Sequence, residues 1–285
     1  NWAGVQNFSE LMAQQANLAD TALPANLAEL PQPARQQALE QLYQEQQRWR
    51  AELFDGTNPK ISTPIAAGDP NMDPFGPIEV LRGSPAYKQR ALIGEIIEKR
   101  LAGEGVDVLQ NRITLPDGRV VDGNIIYRGQ AAEDLIRRRN VEWAAKYPDD
   151  AAKAREARPD ATDLKYGFDN GAPRYITATA DPANQQVLHD AGVSAIADLV
   201  GRSQAIQANP VLQAQAEREY ANALYYLFHG PIYNRGSDSV IRLFGSTMHN
   251  RIFGRPLTLP HDVDIRAYGY TQEQFSEWLR GTMRP

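Results

Sequence analysis

One stretch of this chain breaks an otherwise helical rhythm, and it limits the folds available more than any other feature. DVLQNRITLPDGRVVDGNIIYRG, residues 107 to 129, is made of short apolar and β-branched pieces around Pro116, Asp117 and Gly118. That pattern predicts a hairpin turn at the Pro-Asp-Gly step, followed by a strand through Ile125, Ile126 and Tyr127. Strand character returns in RYITATADP, residues 174 to 182, and then gives way to a proline. Most of the remaining sequence has helical spacing. The expected class is α+β, with several helices around a small, partly antiparallel sheet.

The helical segments are punctuated by proline and glycine. PARQQALEQLYQEQQRWRAELF carries Leu39, Leu42, Tyr43, Trp49 and Leu53 on an apolar ladder entered through Pro33 and closed by Asp55 and Gly56. Residues 1–56 therefore read as an N-terminal helical arm. The five prolines of residues 57–77 mark an irregular connection, and residues 78–285 form the main α+β domain. Ala91, Leu92, Ile96, Ile97 and Leu101 predict a helix stopping at Gly103 or Gly105. Charged helical pattern fills 131–157, and 163–173 reads as a loop. Further helices are expected near 184–188, 194–206, 212–228 and 238–252. A last short helix starts near Thr271, where Thr-Gln-Glu-Gln puts Gln274 at the capping-box position.

Composition narrows the function classes. With 285 residues, 42% of them hydrophobic and 23% charged, the chain has the make-up of a soluble globular protein. A formal charge of -5 opposes generic binding to a polyanion. No run of 18 apolar residues reads as a spanning helix. The opening NWAGVQNFSE lacks the basic start and apolar middle of a signal peptide. Cysteine is absent, which removes disulfides, thiolate nucleophiles and cysteine-ligated metals. The histidines at 189, 229, 249 and 261 form no close-spaced ligand set, so no metal site is expected.

Arg128 stands at the end of an apolar strand, with Gly129 after it to permit a tight exit or a close ligand approach. Its guanidinium can end the strand in water or hold an anion such as phosphate. In an extended TATADP stretch, Thr177 and Thr179 share a face, with Asp181 beyond them. Their hydroxyls suit a sugar or an amide, and threonine is equally at home in a strand for its β-propensity. Tyr127-Arg128-Gly129 and Tyr175-Ile176-Thr177-Ala178-Thr179 resemble two parts of the mono-ADP-ribosyltransferase pattern. The resemblance implies NAD as cofactor, with Arg128 and Gly129 on its phosphates or ribose and Thr177 and Thr179 framing the nicotinamide side. It further implies a secreted bacterial toxin or effector acting on a host or target protein. That family also carries a glutamate near a third strand. Here the E-x-E formed by Glu217 and Glu219 falls in a helical stretch, as do Glu273 and Glu277.

A second constellation lies in FHGPIYNRGSDSVIRLFGSTMHNRIFGRPL, residues 228 to 257. Gly230 and Pro231 break one helix, and Asn234, Arg235, Gly236 and Ser237 lead into the next. Ser237 reads as its N-cap, and Asp238 belongs at its positive end, where it competes with any anion. His229, Arg235, Gly236, Ser237 and Arg242 make an alternative anion site, with His249 seven residues beyond Arg242 lining the same surface. The histidine, glycine-rich loop and arginine-bearing helix are similar to Fic-type AMP-transferases, which implies ATP in place of NAD. His229 is followed by Gly-Pro-Ile where that family has Pro-Phe. A non-catalytic protein-interaction effector is the remaining reading, since the helical surfaces need no turnover to explain them.

Overall fold

The structure, a computed structural model, describes residues 2–52, 85–157, 175–232, 237–260 and 262–283. The expected stop at Asp55 and Gly56, the 57–77 connection, the 163–173 loop and the 233–236 turn with Asn234, Arg235 and Gly236 lie outside those residues. Among the described residues the α+β expectation is met. Eleven helices surround one three-stranded antiparallel sheet of order β1-β2-β3, formed by Val108–Thr114, Val120–Arg128 and Tyr175–Ala178.

The hairpin forms where the sequence predicts it. Gly118 N–H donates to Leu115 O at 2.9 Å, and Leu115 N–H donates to Arg119 O at 2.8 Å. Gly118 itself has φ +85, the left-handed conformation that closes this three-residue loop. Thr114 then pairs with Val120, and the ladder runs back to Val108 and Tyr127. Its register slips between Gln110 and Arg112, which face Ile125 and Asp122. β2 therefore carries one extra residue at Gly123–Asn124, a β-bulge. Gln110 covers the disrupted ladder by donating its Nε2–H to Gly123 O at 2.7 Å.

The helices are α1 (Trp2–Ala22), α2 (Gln32–Glu52), α3 (Pro85–Glu104), α4 (Gly129–Lys146), α5 (Pro148–Ala157) and α6 (Pro182–Gly201). After them come α7 (Ser203–Ala208), α8 (Pro210–His229), α9 (Ser237–Phe253), α10 (Val263–Gly269) and α11 (Gln272–Met283). Gly105, at φ +68, ends α3: Val106 N–H reaches back to Leu101 O at 3.2 Å and satisfies a terminal carbonyl. Pro148 divides the charged 131–157 stretch into α4 and α5, since a proline suits a helix start better than an interior.

Two expected helices, near 184–188 and 194–206, are joined differently. α6 runs unbroken through Gly192, and the break falls at Arg202 before α7. Glycine survives inside α6 because a Cβ there would stand 2.7 Å from Leu227 Cγ of α8. The close approach of two helices keeps this residue small. α10, between Pro260 and Thr271, was not foreseen. Its seven residues are too few for a readable period.

The main core lies between α6, α8, α9 and α11, on Leu188, Ile196, Leu224, Phe228, Phe244, Met248 and Phe275. Ala19, Leu39, Leu42 and Tyr43 of α1 and α2 enter the same core, so these helices are packed against it. A smaller cluster of Ile97, Leu101, Leu109 and Ile126 ties α3 to the sheet, with Ile265 of α10 against it.

At α11 the capping box is reciprocal. Gln274 Oε1 accepts from Thr271 N–H at 3.0 Å, and Thr271 Oγ1 accepts from Gln274 N–H at 3.3 Å. Thr271→Ala is expected to cost about 1 kcal/mol in urea unfolding, because it strands one of these donors.

Candidate functional site

The sheet brings together the two sequence pieces on β2 and β3. Arg128 pairs with Tyr175 and Ile126 with Thr177, so Arg128 and Thr177 are two steps apart on adjacent strands. Gly129 has φ +54 as the chain leaves the sheet for α4, the tight exit expected of it. The Thr177 side chain lies outside the described set. Thr179 is placed differently. It follows Ala178, the last paired residue of β3, which faces Ile125, so it lies beyond the ladder at the end away from Arg128. Its hydroxyl is buried and has no hydrogen-bond partner.

Arg128 is held by carboxylates. Nη1 donates to Glu98 Oε2 at 3.0 Å, and Nε and Nη2 donate to Asp107 Oδ1 at 2.9 and 2.8 Å. These hydrogen bonds, Asp107 first, raise the guanidinium's proton affinity further. The side chain is 27% exposed, so solvent reaches it. An arriving phosphate meets an oriented guanidinium and must displace a carboxylate to use it.

The C-terminal constellation is arranged otherwise than the sequence suggests. His229 does not face a mouth. It is fully buried, its Nδ1 accepts from Asn124 N–H at 3.0 Å, and its Nε2–H donates to Ala267 O at 2.8 Å. The bulge explains this contact, because it takes the Asn124 N–H out of the ladder and the imidazole receives it. Burial pushes the His229 pKa down to about 3, against the Ala267 hydrogen bond that favours the cation. A neutral ring with both nitrogens engaged has none left for a ligand or a proton shuttle. His249 likewise lines no surface: it is 1% exposed, donates through Nδ1 to Arg255 O at 2.9 Å, and is driven by burial to a pKa of about 4.

Ser237 is the first residue of α9 and is buried, one position inside the expected cap. Arg235 and Gly236 lie outside the described residues. Arg242 is the hub of the segment. Its Nε donates to Asp238 Oδ1 at 2.7 Å, its Nη2 to Asp264 Oδ1 at 3.0 Å, and its Nη1 to Pro260 O. Asp238, expected beside the backbone donors of the helix start, is ion-paired with the Arg242 side chain one turn on. Asp264, which sequence reading missed, brings a second carboxylate onto the same guanidinium. Its side chain is 16% exposed, and its pKa is pushed up to about 7, by burial first and then by the Asp238 charge, with Arg242 opposing.

These pieces form one polar seam. The buried Tyr268 phenol is shifted well above its ordinary range, by burial and then by the charges of Asp264 and Asp238. The Asn124 amide lies close enough to oppose that shift, although neither of its atoms is in hydrogen-bond geometry. Asn124, Tyr268, Asp264, Arg242 and Asp238 thus follow one another from the sheet to the start of α9. The sequence held one signal for this seam, the glycine inside VVDGNII, which marks a bulge in a strand.

The glutamates considered for an E-x-E role are occupied elsewhere. Glu217 accepts from Arg255 at 2.8 Å and Glu219 accepts from Arg202. Among the described residues, no three His, Asp or Glu side chains group as metal ligands, and no helix is long and apolar enough to cross a membrane. No protein-family model matches the chain, and no curated protein matches it in sequence.

Proposed function

We propose that the chain is an NAD-binding protein of the mono-ADP-ribosyltransferase type, acting as a toxin or effector on a target protein. The observation that supports this reading is the pairing of β2 with β3, which sets the Arg128 strand end beside the Thr177 strand. In this reading Arg128 takes the NAD phosphates, Gly129 lets the backbone approach them, and Thr177 and Thr179 line the path toward the nicotinamide end. Calorimetric titration of the intact chain with NAD, and separately with ATP–magnesium, tests it. Arg128→Ala is expected to weaken NAD binding about tenfold or more while the melting temperature holds, since a charge-assisted phosphate contact is worth roughly 1.5–3 kcal/mol. Absence of NAD binding by the parent chain would sink the proposal. Preference for ATP would move it to the Fic-type alternative at the C-terminal segment.

A second reading, a non-catalytic protein-interaction effector, is favoured by one observation. Arg128 and Arg242 are each bound by two carboxylates from their own chain, an arrangement that braces elements without any ligand.

A further inference from the structure

Arg128 meets its two carboxylates on unequal terms. Asp107 Oδ1 accepts from both Nε and Nη2. The Asp107 main chain is fixed as well, because Arg128 N–H donates to Asp107 O at 2.8 Å beside the first rung of the β1–β2 ladder. Val106 O takes the other Nη2 N–H at 3.3 Å. Glu98 reaches across from α3 with a single hydrogen bond, Nη1 to Oε2 at 3.0 Å. The second N–H of Nη1 has no acceptor among the described residues. The Asp107 carboxylate is the more exposed of the two, yet it is the better held, by two hydrogen bonds and a fixed backbone.

We infer that Glu98 is a displaceable counterion on Nη1 and Asp107 the positioning residue that keeps the guanidinium aimed, so that a diphosphate enters by replacing Glu98 alone. This rests on the reading of Arg128 as the phosphate-holding residue and names what governs that contact. One guanidinium and two carboxylates leave the cluster a net charge of -1. A tethered carboxylate competes at an effective concentration of about millimolar, so a free monocarboxylate gains nothing by exchange. A diphosphate brings more charge and more acceptor oxygens than the carboxylate it replaces, and Nη1 offers it both N–H groups. The departing Glu98 side chain, already 46% exposed, turns to water and leaves no buried charge behind.

Inorganic pyrophosphate is titrated calorimetrically into the intact chain and its variants. Glu98→Gln keeps the side chain's shape and removes its charge. It is expected to bind pyrophosphate about tenfold more tightly at low salt, with an unchanged melting temperature. Glu95→Gln, an exposed carboxylate one turn earlier on α3, should change affinity by less than about twofold, which separates a bonded competitor from a general change of charge. The gain should vanish when Arg128→Ala is added to Glu98→Gln. The Arg128 Nε–H resonance, assigned by its loss in Arg128→Ala, should persist through the titration because Asp107 retains it. Equal gains from Glu95→Gln and Glu98→Gln, a gain that survives Arg128→Ala, or loss of the Nε–H resonance on binding would overturn the inference. If the parent chain binds NAD and Glu98→Gln gains nothing, the inference falls and the Arg128 reading stands. If neither chain binds NAD or pyrophosphate, both fall.

Discussion

Between pH 7 and pH 4 the folded chain is expected to lose several kcal/mol of stability, with His229 as the largest single source. Its folded pKa of about 3 lies below the unfolded value of 6.5. The unfolded chain therefore binds a proton that the native chain refuses, and the stabilisation present above pH 6.5 drains away as pH falls toward 3. At pH 4 this amounts to roughly 3 kcal/mol, at about 1.36 kcal/mol per pH unit. His249, at about 4, adds loss over the same window. Asp264 works in the opposite direction. Its folded pKa of about 7 exceeds the ordinary 3.8, so its contribution is fully present below 3.8 and is lost as pH rises through 7. Two histidines outweigh one aspartate, and the net slope between pH 6.5 and 4 still favours the higher pH. Urea midpoints at pH 7, 5.5 and 4 measure it, and in His229→Gln the decline should be visibly shallower. An equally steep decline in that variant would contradict the buried, neutral imidazole.

Arg242→Met is expected to cost about 3 kcal/mol at pH 8, in the range for removing one member of a buried ion pair. The loss comes mostly from what is left behind. Asp238 and Asp264 remain beside each other, Asp264 only 16% exposed, with the guanidinium between them gone. At pH 5 Asp264 carries its proton in either chain, so the cost should shrink. Adding Asp264→Asn to Arg242→Met removes one of the two stranded charges and should restore part of the stability at pH 8. Urea unfolding of the two variants at both pH values checks this. A cost independent of pH would mean that the guanidinium acts through its bond to Pro260 O and its packing alone.

Much of the architecture was legible from local signals. Pro116, Asp117 and Gly118 specify the hairpin because proline suits the turn and glycine accepts φ > 0 at the loop's third position. Thr271 and Gln274 announce their helix because a capping box lies within four residues. The helices expected near 184–188 and 194–206 are one unbroken α6 through Gly192, whose reason for being small is on another helix: Leu227 Cγ stands 2.7 Å from where a Cβ would be. The roles of His229 and Arg242 were likewise out of reach, since their partners lie 105 and 22 residues away at Asn124 and Asp264.

The sequence by itself determined the class, the helical stripes, the turn chemistry and the absence of any thiol, because propensity, periodicity and composition act over a few neighbouring residues. Only the tertiary structure decided which charged and polar groups meet. It turned His229 from a surface candidate into a brace for a bulge, tied Arg128 to Glu98 and Asp107, and set Asp264 against Asp238 across one guanidinium. The physical reason is that burial and charge–charge distance, which set the protonation and reach of these side chains, do not exist until distant segments pack.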